Sequence, residues 1–200
     1  MNALFDPLPY GVEVRGVNYE LETDFRAGIK FAIMLEKGER NALKLLRPFF
    51  PHGFPRDIAG AFEAVVFFYC CGNPPEKKEG QKKEKPCYSF TVDAETIFAD
   101  FWQFYNIDLS AERLHWYVFR SLLEGLPEES GFKKRVYYRT CNLKDLPKKE
   151  RERIGKIKKL ISIEQEDRGG KMTLEERNAA MLAYIQKREK ETNKGGGVNG

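Results

Sequence analysis

The residues that could carry reaction or metal chemistry are few in this chain. Its two histidines, His52 and His115, have no aspartate, glutamate or cysteine at the spacing that metal ligation requires. His115 stands between Leu114 and Trp116, which predicts a histidine packed on a helix with a backbone or carboxylate partner. A catalytic triad needs a nucleophile, a base and an orienting group brought together, and no local signature indicates one.

The four cysteines give no metal-binding or redox motif either. Cys70 and Cys71 are adjacent, so they cannot act as the two spaced ligands of a zinc knuckle, and no CxxC occurs. Cys87 and Cys141 are isolated, which indicates small buried or incidental thiols. We therefore predict no enzymatic activity, no cofactor, and no catalytic, cofactor-binding or metal-binding residue.

The densest run of charge, from Lys148 to Lys159, has two interpretations. It could be a nucleic-acid-binding stripe, whose affinity would fall with salt. It could equally be a solvated helix face whose apolar stripe packs on the body of the protein. The second interpretation is favoured because acidic residues alternate with basic ones and the net charge of +4 is small.

Composition indicates a soluble globular protein. Two hundred residues allow one ordinary domain, or one domain with appendages, and 42% hydrophobic residues are ample for a core. The first residues lack a basic region followed by an apolar run, and the most apolar segment, 58–71, is too short to span a bilayer. We expect a cytoplasmic location, reduced thiols and no membrane association.

The pattern of apolar residues predicts a mainly α-helical domain with a small N-terminal β-hairpin. Val12–Val14 and Val17–Leu21 alternate around Arg15-Gly16, as in a hairpin with a tight turn. Thr23 or Asp24 is expected to cap a helix that ends near Gly38. The predicted inward side chains of this helix are Phe25, Ile29, Ala32 and Ile33. A short helix at 42–46 and an apolar helix at 57–71 follow.

The segment 93–126 predicts two aromatic-rich helices. Asp93 is expected to cap the first helix by accepting an amide of its first turn, and Ser110 to cap the second, which ends at Gly125. Leu109 and Leu114 are placed as a hydrophobic staple. The predicted inward residues are Ile97, Phe98, Phe101, Trp102 and Tyr105 on the first helix, and Leu114, Tyr117, Val118 and Leu122 on the second. This aromatic area must be buried in a core or against a partner.

The domain organisation follows from these elements. Residues 1–72 form the hairpin and the first helices, 73–88 a flexible basic linker, and 89–165 the aromatic helical part of the same domain. The last part includes short helices at 132–138 and 148–163, the second with a stripe of Ile154, Ile157, Leu160 and Ile161. Residues 166–193 are expected to form a polar helix and 194–200 a disordered tail.

An ordered set of short matches runs along residues 1–165. In the first half the matches are Asp6-Pro7-Leu8-Pro9, Val12-Glu13-Val14, Gly16, Tyr19, Thr23-Asp24-Phe25-Arg26, Ile29, Phe31, Ala64, Phe68-Tyr69 and Cys71-Gly72. In the second half they are Asp93-Ala94, Ile97, Phe101, Tyr105, Ile107-Asp108-Leu109, Leu114-His115-Trp116, Phe119-Arg120, Gly125-Leu126, Phe132 and Tyr138-Arg139. Through them the chain resembles the bacteriophage gene product fifteen family of long-tailed phages and prophages of Gram-positive bacteria.

The resemblance implies a tail assembly chaperone of the host cytoplasm. Such a protein would bind the tape measure protein, and in some cases the major tail protein, as a homo-oligomer without catalysis. The alternative is a structural tail or head–tail component retained in the virion. Nucleic acid is not expected as a partner, and the resemblance locates no partner-binding residue.

Two further expectations concern glycines. The family usually carries a bulky residue where this chain has Gly28, so we expect Gly28 to loosen the first helix by up to about 1 kcal/mol. Chaperones of this type are often made in two lengths by ribosomal frameshifting, and Gly195-Gly196-Gly197 could be encoded by a slippery run of G. A flexible glycine tail is the simpler interpretation of that run.

Overall fold

The computed structural model describes residues 4–73 and 86–163, which fold into two compact units. The first unit contains residues 4–73 and Leu114–Tyr117, and the second contains 86–113 and 118–163. The described elements are seven α-helices, a single 3-10 turn and one antiparallel hairpin near the N-terminus, which confirms the predicted fold class. Among these helices, none has the length and apolar character needed to cross a membrane.

The predicted N-terminal hairpin is present. Strand β1 (Gly11–Val14) pairs with β2 (Val17–Glu20), and Val14 lies opposite Val17. The two turn residues between them, Arg15 and Gly16, have φ values of 51° and 77°. A two-residue turn with both φ angles positive matches the twist of the flanking strands, and glycine adopts it without strain.

Helix α1 (Phe25–Glu36) begins as predicted, because the Asp24 carboxylate accepts the Arg26 N–H at 3.0 Å. Its inner face differs from the prediction, since Ile29 and Ile33 are only half-buried. The buried residues are Phe25, Ala27, Gly28, Phe31, Ala32 and Leu35. At 100° per residue most of these form one stripe, and the two isoleucines lie at its edge.

Two more helices complete the first unit. Helix α2 (Ala42–Leu46) is capped by Asn41, and α3 (Ile58–Tyr69) is capped by Asp57, whose carboxylate accepts the Gly60 N–H at 3.0 Å. Both helices occupy the predicted segments. Helix α3 packs against β1 and α2. The chain leaves α3 through Cys71 and Gly72, which both have positive φ, as is common after a helix.

The core of the first unit is built from aromatic rings. Phe31 is fully buried, and its ring centroid lies 5.6 Å from that of Phe49 and 5.0 Å from that of Tyr69. Phe49 in turn meets Phe68 edge to face at 6.0 Å. Tilted and edge-to-face contacts of this kind are the preferred geometry for aromatic pairs, so the rings hold each other in register.

The second unit contains α4 (Ala94–Tyr105), most of α5 (Trp116–Glu124), α6 (Gly131–Thr140) and α7 (Lys148–Leu160). Helix α4 ends at Asn106, which has a φ of 54° and donates its N–H to the carbonyl of Trp102 at 3.1 Å. Helix α5 stops just before Gly125, as predicted. Phe101 of α4 and Phe119 of α5 stack at 5.2 Å, and both are fully buried.

The predicted start of α5 was wrong. The helix begins at Trp116, not after Ser110, so neither the Ser110 cap nor the Leu109–Leu114 staple is formed. The Ser110 N–H is taken up by the carboxylate of Asp108 at 2.8 Å. The Leu114 carbonyl accepts a long-range hydrogen bond from the Phe25 N–H at 2.9 Å, which holds this part of the chain extended.

The remaining predictions are met in part. Helix α6 is present, and in α7 Ile154 is buried whereas Leu160 is 85% exposed, so the predicted stripe is interrupted. Most of the predicted linker 73–88, the helix at 166–193 and the tail with Gly195–Gly197 lie outside the described residues. Those domain boundaries stay predictions.

Candidate functional site

His115 lies in a segment of the first unit that pairs with the start of α1. The Trp116 N–H donates to the Thr23 carbonyl at 2.7 Å, and the Phe25 N–H donates to the Leu114 carbonyl at 2.9 Å. These two bonds make an isolated antiparallel bridge between Asp24 and His115. The histidine is therefore held on extended backbone directly before α5 rather than within a helix as predicted.

Both nitrogens of the His115 ring are used in hydrogen bonds. Nδ1 accepts the Tyr117 N–H at 3.1 Å, and Nε2 lies 2.8 Å from the carbonyl oxygen of Pro9. Because a carbonyl can only accept, Nε2 carries the proton and the ring is neutral. Burial lowers the pKa of His115 below its ordinary value, and the bond to Pro9 opposes that shift. Neither nitrogen is left for a metal ion or a substrate proton, so this histidine positions the chain.

Trp116 fills the centre of the first unit. Its side chain is fully buried, and its indole N–H donates to the Tyr69 carbonyl at 2.8 Å while its ring stacks on Tyr69 at 5.1 Å. The other contact is with Gly28, where an added Cβ would lie 2.6 Å from two atoms of the indole ring. Gly28 is therefore required by the close approach of Trp116, a reason that composition alone does not reveal.

A buried charge cluster organises the second unit around Asp93. Arg139 donates to both carboxylate oxygens at 2.6 and 2.8 Å, Arg135 donates to one at 3.2 Å, and the Ser89 N–H donates at 3.0 Å. Burial acts to raise the pKa of Asp93, but these hydrogen bonds outweigh it and hold the pKa below its ordinary value. Asp93 stands at the N-cap of α4 as predicted, yet its carboxylate makes no capping bond because the arginines and Ser89 occupy it.

Arg139 joins this cluster to two other segments of the second unit. It donates to the carbonyl of Cys87 at 3.2 Å and to that of Ile161 at 2.7 Å, and its side chain is 6% exposed. Because this buried guanidinium donates to three acceptors, it links the segments that carry them. The cluster is therefore structural. The sequence indicated Arg139 only as one residue of the family resemblance, and it did not indicate Arg135.

A second buried carboxylate, Asp100 of α4, caps the neighbouring helix α6. Its two oxygens accept the N–H groups of Gly131 and Phe132 at 3.1 and 2.7 Å. Ser130 accepts the N–H of Lys133 at 3.2 Å, so three free amides at the start of α6 are satisfied. The buried carboxylates of Asp93 and Asp100 thus both have structural partners.

No metal or thiol chemistry emerges in the part of the chain that the structure describes. There, no group of three or more His, Cys, Asp or Glu residues could hold a metal ion. All four cysteines lie within the described residues, where they are half-buried and form no disulfide bond. His52 is exposed on a loop of the first unit.

Helix α4 of the second unit has an exposed aromatic face. Phe98 and Trp102 are one helical turn apart and are 41% and 53% exposed, while Val92, just before the helix, is 46% exposed. The sequence predicted Phe98 and Trp102 to face inward with Ile97 and Phe101, but only the latter pair is buried. Aromatic residues occupy too wide an arc of α4 for one side to bury them all. We call Phe98 and Trp102 the α4 aromatic face.

Comparison with protein families gives a match over most of the chain. The family described as "Bacteriophage Gp15 protein" matches residues 4–163 of the chain. Comparison with curated proteins and with solved structures gave no match. The family match covers all described elements of both units, including α4 and its exposed aromatic face.

Proposed function

Because the chain belongs to the bacteriophage Gp15 family, a family of phage structural or morphogenesis proteins not known as catalytic, we propose that it is a tail assembly chaperone. Its partner in this proposal is the tape measure protein of the same phage or prophage, which it keeps soluble in the host cytoplasm while the tail tube assembles. Homo-oligomerisation and contact with the major tail protein are part of the same proposal.

The observation that supports a binding role is the α4 aromatic face. Large exposed apolar side chains on a helix favour an amphipathic partner helix, whose apolar side chains can pack against them. Trp and Tyr side chains dominate binding energy at such interfaces, so Trp102 is the expected anchor and Phe98 its neighbour. Glu95 and Gln103 are exposed on the same helix and supply a polar rim.

The proposal is tested by co-expressing the full chain with the cognate tape measure protein. We expect the tape measure protein to be soluble and to copurify with the chain, and to be insoluble when expressed alone. The double variant Phe98→Ser/Trp102→Ser should weaken the complex by roughly thirtyfold, because a hot-spot aromatic contributes about 2 kcal/mol or more. Stability should change little, since both side chains are exposed.

The matched control is Leu43→Ser/Phe67→Ser, which removes two apolar side chains of similar exposure, 47% and 52%, from the first unit. It should leave the complex intact. Equal solubility of the tape measure protein with and without this chain, with no complex recovered, would refute the chaperone proposal.

The alternative is a structural component of the tail or of the head–tail junction. Mass spectrometry of purified particles distinguishes the two roles. A chaperone should be absent from the finished particle, whereas a structural component should be present at a fixed copy number.

A further inference from the structure

Helix α7 carries more positive charge than the chain as a whole. Its thirteen residues include seven lysines and arginines and two glutamates, a formal charge of +5, whereas the full chain carries +4. All other residues together therefore have a formal charge of −1. The helix spans about 20 Å, so this charge is concentrated on one short rod at the surface of the second unit.

Two of the seven cations serve the second unit itself. Arg151 donates to the carbonyls of Lys144 and Leu146 at 3.2 and 3.1 Å, and Lys158 donates to the carbonyl of Cys141 at 2.9 Å. Both lie on the same side of the helix as Ile154, which is the buried residue of α7. Their charges fix α7 in place and are not directed to a partner.

Three other cations form a continuous exposed column. Lys149, Arg153 and Lys156 follow each other at intervals of four and three residues, which places them on one face of the helix, away from Ile154. All three are exposed, and within 4–73 and 86–163 no carboxylate forms a salt bridge with any of them. Their charges are therefore available to an external anion.

The next position of the same column is apolar. Leu160 follows Lys156 after four residues and is 85% exposed, the second most exposed large apolar residue of those described. The column thus reads Lys149, Arg153, Lys156, Leu160, which is three cations followed by an apolar side chain. We call these four residues the α7 column.

We propose that the α7 column binds an acidic amphipathic helix of a partner protein. Glutamates or aspartates on the partner would face the three cations, and a leucine-like side chain next to them would cover Leu160. This surface is distinct from the α4 aromatic face. It does not depend on the identity of the tape measure protein as a partner.

The composition of the column favours a protein over a nucleic acid. The column contains no aromatic residue on which a base could stack. Proteins that bind single-stranded nucleic acid normally use such stacking. An exposed leucine gains little from a phosphate backbone, whereas it is a typical anchor for an amphipathic helix.

The experiment measures binding of the full chain to three fluorescent probes at several salt concentrations. The first probe is a synthetic helical peptide of about 20 residues, long enough to cover α7, with leucines on one stripe and glutamates beside it. The second replaces those glutamates with lysines. The third is a duplex DNA of about 20 base pairs, which exposes a comparable run of phosphates.

We expect the acidic peptide to bind and the basic peptide and the DNA not to bind. Lys149→Glu/Arg153→Glu/Lys156→Glu should weaken acidic-peptide binding about tenfold, since each exposed ion pair contributes a fraction of a kcal/mol. Leu160→Ser should weaken it as well, through loss of apolar contact. The control Lys30→Glu/Lys37→Glu/Arg47→Glu makes the same change in net charge at exposed positions of the first unit and should leave binding unchanged.

Three outcomes would overturn the proposal. Equal binding of the acidic and basic peptides would show that charge does not select the partner. Binding of DNA, lost in the α7 variant and insensitive to Leu160→Ser, would assign the surface to nucleic acid instead. If no probe binds while circular dichroism shows a folded chain, the column is only a solvated face. None of these outcomes depends on whether the tape measure protein is solubilised, so the two proposals fail independently.

Discussion

The close contact with the Trp116 ring restricts which residue can occupy position 28. In an open helix, alanine in place of glycine stabilises by up to about 1 kcal/mol, because the glycine backbone loses more entropy on folding. Here the added methyl group would overlap a fully buried indole that is fixed by a hydrogen bond and by stacking on Tyr69. We expect Gly28→Ala to lower the free energy of unfolding by about 1–2 kcal/mol, since overpacking outweighs the entropic gain.

Gly155 of α7 provides the matched control. A Cβ there would meet Leu143 at 3.8 Å, an ordinary contact, so Gly155→Ala should stabilise by roughly 0.5–1 kcal/mol. Urea unfolding of both variants measures the two effects. If Gly28→Ala stabilises the protein as much as Gly155→Ala does, then Trp116 does not restrict the position.

Asp93 and Arg139 form the charge pair whose loss should cost most. Both side chains are buried, so removing the carboxylate leaves a guanidinium without a counter-ion in a poorly solvated site. We expect Asp93→Ala to destabilise by about 3–5 kcal/mol in chemical unfolding. The pair Arg120–Glu124, whose glutamate side chain is 68% exposed, is the comparison, and Glu124→Ala should cost less than about 0.5 kcal/mol.

The double variant Asp93→Ala/Arg139→Met separates the pair from its surroundings. It should be more stable than Asp93→Ala alone, because the unpaired buried charge is removed as well. A double variant that is as unstable as the sum of the single ones would mean that the two residues act independently.

At the scale of elements, α6 depends on a carboxylate that lies 31 residues before its first residue, Gly131. Asp100 accepts two N–H groups of its first turn, whereas Ser130 accepts one. Buried amides left without partners are costly, so Asp100→Ala should destabilise by about 2–3 kcal/mol and Ser130→Ala by about 1 kcal/mol. Hydrogen exchange of 131–140 should rise more in the first variant. The reverse order would show that the local cap dominates.

Helix starts with a local cap could be predicted from the sequence. Asp24 and Asp57 each accept an amide two or three residues further along the chain, and such short-range signals are visible in the residue order. The hairpin could also be predicted from the sequence, because Arg15-Gly16 supplies the two-residue turn.

The features that the sequence missed depend on contacts between distant residues. Ser110 has the chemistry of a cap, but the Phe25 N–H binds the Leu114 carbonyl and keeps the following residues extended. Asp93 has the position of a cap, but Arg139 takes its carboxylate. Phe98 and Trp102 share helical spacing with buried neighbours, so spacing alone could not show which aromatic residues of α4 remain exposed.

At the scale of the whole molecule, the two units contain titratable groups that respond to acid in different ranges. His115 in the first unit has a pKa lowered below 6.5. As the pH falls, this histidine therefore binds a proton at a higher pH in the unfolded chain than in the folded one. The contribution of neutral His115 to the stability of that unit is fully present above the unfolded-state pKa, and it falls as the pH drops below about 6.5. Asp93 in the second unit has a pKa lowered below 3.8. Its contribution to stability is therefore lost only below about pH 3.8, as the pH falls through the folded-state pKa of Asp93.

We therefore expect acid to loosen the first unit at a higher pH than the second. Hydrogen exchange with mass spectrometry, measured on folded full-length protein between about pH 7 and pH 3, should show protection falling first in 4–73 and later in 118–163. Exchange rates must be corrected for their intrinsic dependence on pH.

His115→Gln should remove the early step, because glutamine can replace both hydrogen bonds without a titrating group. His52→Gln, at an exposed position, should leave the early step in place. Loss of protection in both segments at one common pH, unchanged by His115→Gln, would show that neither His115 nor Asp93 sets the acid response.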